Sequence, residues 1–180
     1  MNNLERHWWM LVVRGLAGLG LALVLLMVYV PGPPSMAMLA TAFGAYAIID
    51  GAAALGFVFR VREAKVSTYV VRGLLGLAVG ALALARPGMP DVALTLLMGA
   101  WALASGGLEL VFGSRVWTAV SRPIGFMLAG TVSIGFGLTL LTFPDASAMG
   151  LLALFATFGL ADGVAAAAIG FGLHPAPARA

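Results

Sequence analysis

Six long apolar stretches take up most of this 180-residue chain, and all nine of its prolines fall at their edges or outside them. They run approximately from Met10 to Val30, Met36 to Phe59, Ser67 to Ala85, Val92 to Gly113, Pro123 to Phe143 and Ala148 to Gly172. A hydrocarbon core about 30 Å thick needs roughly 20 residues of helix at about 1.5 Å per residue, and each stretch meets that length. Proline has no amide hydrogen and clashes with the preceding turn, so Pro31, Pro33, Pro34, Pro87, Pro90, Pro123, Pro144, Pro175 and Pro177 mark the boundaries independently of hydropathy. Only 9% of the residues are charged. Soluble domains carry about 25%, so most of this exterior must face lipid rather than water. The predicted fold class is all-α, an integral membrane six-helix bundle forming a single transmembrane domain over residues 1–180. The charged start of the first stretch could open a signal peptide, but its apolar run is longer than the usual h-region of about 7 to 15 residues. It reads as a retained span.

With six spans both termini lie on one side, together with the loops after the second and fourth helices. That side collects Arg6, Arg14, Arg60, Arg62, Lys65, Arg72, Arg115, Arg122 and Arg179, and the other holds only Arg86. Lys and Arg accumulate on the cytoplasmic side, so both termini are predicted to be cytoplasmic. The pI near 10 is then a topology signal. The basic loops read as attraction to anionic headgroups and not as nucleic-acid binding. Trp8, Trp9, Tyr69 and Trp117 fall at the expected inner interface and Tyr29 at the outer one.

The chain also repeats itself. Arg14-Gly15-Leu16-Ala17-Gly18-Leu19 matches Arg72-Gly73-Leu74-Leu75-Gly76-Leu77 at an offset of 58, and Ala129-Gly130-Thr131-Val132-Ser133-Ile134 is a weaker third copy 57 residues further on. Each is followed by a proline turn, at Pro31, Pro87 and Pro144. A second helix then carries an aromatic residue five before a glycine: Tyr46 with Gly51, Trp101 with Gly106, Phe158 with Gly163. The unit is a helical hairpin, with copies over approximately residues 8–62, 66–115 and 122–172. Two spans per unit make the repeats parallel, which predicts approximate threefold symmetry about the membrane normal. Gly76-xxx-Gly80 and Gly159-xxx-Gly163 are small-xxx-small pairs that let helices approach closely in lipid. They read first as internal packing, with a homo-oligomer contact as the other reading.

On these residues the chain resembles the HdeD-like small bacterial membrane proteins, which are built from short two-helix repeats. The likeness rests on the Arg14 to Leu19 and Arg72 to Leu77 segments, the proline turns, and the Tyr46 to Gly51, Trp101 to Gly106 and Phe158 to Gly163 segments, and covers nearly all of residues 8–172. The resemblance implies a multi-pass protein of the bacterial inner membrane, with a link to acid resistance through a named member, and supplies no catalytic residue. Ala129, where the other two copies have arginine, departs from the pattern.

Five ionisable residues fall within the spans: Arg14, Asp50, Arg72, Glu109 and Asp162. A charge at a helix centre costs about 2.5 to 3.5 kcal/mol on insertion scales, so each is a candidate for a polar intramembrane site. Arg14 and Arg72 lie about one turn beyond the inner interface, where a long side chain can snorkel to the headgroups. A short carboxylate cannot. Asp50 and Asp162 share one repeat position, Ser105 takes it in the second copy, and Glu109 lies one turn further along that face. The expected pairs are Arg14 with Asp50 and Arg72 with Glu109, within each hairpin. Asp162 has no such partner in its own repeat. These residues admit two readings: buried ion pairs that fix hairpin register, or three acids around a site that binds or relays protons, with Asp162 the acid best placed to exchange one.

Enzyme chemistry finds little footing. The histidines are His7 and His174 in the flanks, there is no glutamine, and no serine has a membrane-embedded histidine to activate it. The absence of cysteine excludes disulfides, thiolate metal sites, iron–sulfur clusters and c-type haem attachment within the chain. Met36, Met38, Met89 and Met149 near the outer face could suit Cu(I), but methionine there reads as packing material. No catalytic residue, cofactor or metal is expected. Three function classes follow: a non-enzymatic membrane protein of acid or envelope stress, a proton-linked transporter or conduit using Asp50, Glu109 and Asp162, or an accessory subunit packed against a larger membrane complex.

Overall fold

The computed structural model describes residues 12, 15, 16, 18–20, 22, 23, 27, 35–61, 67–115, 117 and 124–172. Five helices follow one another: α1 (Met36–Val61), α2 (Ser67–Ala85), α3 (Asp91–Arg115), α4 (Ile124–Thr142) and α5 (Ala148–Gly172). All five are long and apolar enough to cross a membrane. The described positions between 12 and 27 are helical as well. No strand occurs among the described residues. The chain is therefore an all-helical, multi-pass membrane protein.

Helix ends sit within about two residues of the expected ones because proline and capping serines fix them. Ser35, after Pro33 and Pro34, accepts a hydrogen bond from the Met38 amide at 3.2 Å, and Ser147, after Pro144, accepts one from the Gly150 amide at the same distance. Helix α3 starts one residue before its apolar stretch, at Asp91, and runs two residues past it, to Arg115. Backbone hydrogen bonding continues where the side chains are already polar, and an acid in the first turn with a base in the last suits the helix dipole.

The closest helix contacts run between consecutive hairpins and not within them. A Cβ placed on Gly51 would lie 2.7 Å from the Gly73 carbonyl oxygen, one on Gly106 2.7 Å from that of Gly130, and one on Gly163 2.8 Å from that of Gly15. Each contact joins the second helix of one hairpin to the first helix of the next, and the last joins α5 to the N-terminal helical positions. The three seams thus close into a ring. This closure, with matching distances at matching repeat positions, is the signature of the expected threefold arrangement. Small residues form these seams because in lipid it is close packing, not water exclusion, that draws helices together. Gly76, Gly80, Gly159 and Gly163 all lie in them, so both small-xxx-small pairs serve internal packing.

Inside the ring, α1, α3 and α5 supply most of the core. Leu39, Leu94 and Leu151 are fully buried at one repeat position, with Phe43, Met98 and Phe155 four residues later. Tyr46, Trp101 and Phe158 follow. Four rings fill the half of the bundle nearer the α2–α3 and α4–α5 turns, Phe43 and Tyr46 each meeting Trp101 and Phe155 edge-on at 5.5–5.9 Å. A second aromatic cluster, of Phe57, Tyr69, Phe112 and Phe126, fills the opposite half, towards the end of α1 and the start of α2. Tyr69 thus belongs to the core and not to the interfacial belt expected for it, being only 4% exposed. Trp117 is half-exposed, as an interfacial ring should be; Trp8, Trp9 and Tyr29 lie outside the described residues.

Candidate polar site within the membrane

Between the two aromatic clusters lie the buried polar residues of four helices, α1, α2, α3 and α5. Arg72 sits on α2 one turn past Thr68, on the buried face that also carries Gly73 and Gly76. Its side chain points inward, and only 3% of the residue is exposed. The snorkelling reading is therefore corrected for Arg72, because carboxylates within reach offer the guanidinium better partners than distant headgroups.

Arg72 serves two acids at once. Its Nη1 donates to Glu109 Oε2 at 2.8 Å and to the Ser105 carbonyl oxygen at 3.4 Å. Its Nε donates to Asp50 Oδ2 at 3.2 Å, and Nη2 to both Asp50 oxygens at 3.2 and 3.3 Å. A planar guanidinium with five donors can grip one carboxylate side-on while its free edge reaches a second, which a lysine could not do. The expected Arg72–Glu109 pair forms within the second hairpin. The Arg72–Asp50 contact crosses from the second hairpin to the first and was not expected. Arg14 lies outside the described residues, and so does its expected pairing with Asp50. The ring of Tyr69 completes the surroundings, 6.0 Å from the guanidinium carbon.

Asp162 takes its contact from another hairpin. The Tyr46 hydroxyl donates to Asp162 Oδ2 at 3.2 Å, joining the first hairpin to the third. Sequence reasoning used Tyr46 only as a marker of the repeat and missed this role. The signal was present: of the matched residues Tyr46, Trp101 and Phe158, Tyr46 has a hydroxyl, and a buried tyrosine needs a partner for it.

All three acids are buried. Asp50, Ser105 and Asp162, at a single repeat position, are buried at 1–2% exposure, and Glu109 is completely buried. The repeat positions matching Glu109 are Ala54 and Ala166, also buried. Removing one partner of a buried ion pair typically costs about 3–5 kcal/mol because the other charge is left uncompensated, so the Arg72–Asp50 contact disfavours separating the first two hairpins. The polar centre also holds carboxylates able to accept protons and a phenol able to pass one on.

Residues 71–142, from the arginine-bearing turn of α2 through α4, match the family model described as a short repeat of unknown function, DUF308. The chain carries the repeat characteristic of the HdeD-like membrane proteins. The matched segment holds Arg72, Ser105 and Glu109 together with the Gly106–Gly130 seam. Neither a curated protein nor a solved structure matches the chain.

Proposed function

We propose that this HdeD-like protein is a non-enzymatic protein of the bacterial inner membrane, with both termini cytoplasmic, that contributes to survival of acid or envelope stress through its polar centre. The observation that carries this reading is the buried contact between Tyr46 and Asp162. It ties two hairpins through a carboxylate whose charge depends on pH, amid the other ionisable groups of the centre: Asp50 on α1, Arg72 on α2 and Glu109 on α3. A proton reaching Asp162 changes what that carboxylate can accept, and with it the tie between the first and third hairpins. The nine-to-one bias of basic residues supports the orientation. The test is survival of an acid challenge by cells lacking the protein, complemented with wild type or with Asp162→Asn at equal membrane abundance. Restoration by wild type but not by Asp162→Asn is expected. Equal restoration by both would remove the polar centre from the function.

A proton-linked conduit is the second reading, favoured by three acids in one part of the bundle. The two aromatic clusters weigh against it, since they pack apolar rings on either side of the polar residues along α1 and α3. Proton flux into liposomes across an imposed pH gradient separates the two readings. Flux above empty vesicles that is lost in Asp162→Asn would favour the conduit.

A further inference from the structure

The seam between α4 and α5 does not close in the outer half of the membrane. It holds a crevice of about 330 Å³ whose lining includes Phe136, Thr139, Ala153, Leu154, Thr157 and Phe158. Phe136 and Phe158 lie flat on one another, 4.4 Å apart and 14° from parallel, and form its floor. Ala153 and Thr157 are exposed at its mouth. Both threonines turn their hydroxyls onto their own helices, Thr139 donating to the Gly135 carbonyl at 2.9 Å and Thr157 to that of Ala153 at 2.7 Å. Their methyl groups are left to the crevice, whose lining carries no charge.

The internal repeat shows where the space comes from. The positions in the second hairpin that match Thr139 and Ala153 hold Leu82 and Leu96. Replacing two leucines by threonine and alanine takes bulk from both walls, while Phe136, in place of Val79, lies along the floor. The crevice is thus a feature of the third hairpin, written in its sequence.

We infer that this crevice binds an acyl chain of a membrane phospholipid. Its mouth is continuous with the bilayer-facing surface, where Leu138 and Leu160 stand exposed on either side. An apolar space of this size does not hold water, and an unfilled lining forfeits the dispersion contacts that hold helices together in lipid. The lining offers methyl and phenyl groups, which a hydrocarbon chain matches and a polar solute does not. Ala153 and Thr157 lie five and nine residues below the start of α5, roughly 7 and 14 Å at about 1.5 Å per residue. That is the depth spanned by the acyl chains of the leaflet on the side of the α4–α5 turn. The site stands independently of the acid-stress reading.

The test uses the full chain in phosphatidylethanolamine–phosphatidylglycerol vesicles containing a phospholipid with a photoactivatable diazirine midway along one acyl chain, with labelled residues mapped by mass spectrometry. The expected result is labelling of Ala153 and Thr157 several-fold above that of Leu96 and Ala100, their counterparts in the second hairpin. Thr139→Leu/Ala153→Leu, which installs the second hairpin's residues, should bring labelling of Thr157 down to the level of Ala100. Equal labelling of the two hairpins in wild type would overturn the proposal, and that comparison stands even if the variant fails to fold. Disulfide-linked dimers formed through Thr157→Cys in a chain otherwise free of cysteine, with no lipid labelling of the crevice, would overturn it too.

Discussion

The second and third hairpins share a backbone plan and differ in their chemistry. Both pack a glycine of the outgoing helix so closely against a carbonyl of the next hairpin that an added Cβ would lie 2.7 Å from it at Gly106 and 2.8 Å at Gly163. Both bury an aromatic residue five positions earlier. Yet where the second hairpin places Arg72 and Glu109, the third has Ala129 and Ala166, all four being buried. Where the second has Ser105, the third has Asp162. The second hairpin supplies its own cation and lends it to Asp50; Asp162 of the third takes its hydroxyl donor from the first. The repeat therefore fixes the scaffold through its small residues, while departures from the repeat carry the polar centre and the open α4–α5 seam.

The largest expected effect separates these roles. Arg72→Met removes the guanidinium from two buried carboxylates and should cost about 3–5 kcal/mol, measured by unfolding in mixed micelles. Adding Asp50→Asn and Glu109→Gln should restore a large part of that loss. If Arg72→Met is as stable as wild type, the second hairpin is not distinguished by its charge pair. Next come the seams: Gly106→Ala and Gly163→Ala should each cost about 1–3 kcal/mol, because the new methyl meets backbone that cannot move aside. Their costs should be similar, since the geometry repeats; a cost at only one of them would break the scaffold equivalence. Tyr46→Phe should cost about 1–3 kcal/mol by leaving Asp162 short of a buried donor. Phe158→Leu, at the matched position of the third hairpin, should lower stability through packing loss without altering any pH response. The smallest effect is a gain: Gly107→Ala, beside the seam but with open space around it, should stabilise by about 0.5–1 kcal/mol through helix propensity.

Much of this arrangement was legible in the residues. Span ends were readable because proline and bilayer thickness constrain them from two directions. The ionisable residues of the site were readable because a charge in a span is costly enough to need a reason. Their pairing was only half readable. Counting residues along a helix gives depth, which put Arg72 level with Glu109, but it gives neither rotation nor the neighbour across the seam. That is why Arg72–Asp50, a contact between hairpins, stayed hidden. The same limit left open which helix pairs approach most closely, and that approach lies between hairpins. Tyr69 was misplaced because an amphipathic ring near a span end suits an interface and a core equally well, and the neighbouring Phe57 and Phe112 decide between them.

The proposed function requires that Asp162 take up a proton inside the bundle. Infrared difference spectra of the protein in lipid, recorded as the pH is lowered, test it most directly. A protonated-carboxyl band that grows on acidification and is missing from Asp162→Asn is expected. Identical spectra for wild type and Asp162→Asn would contradict it.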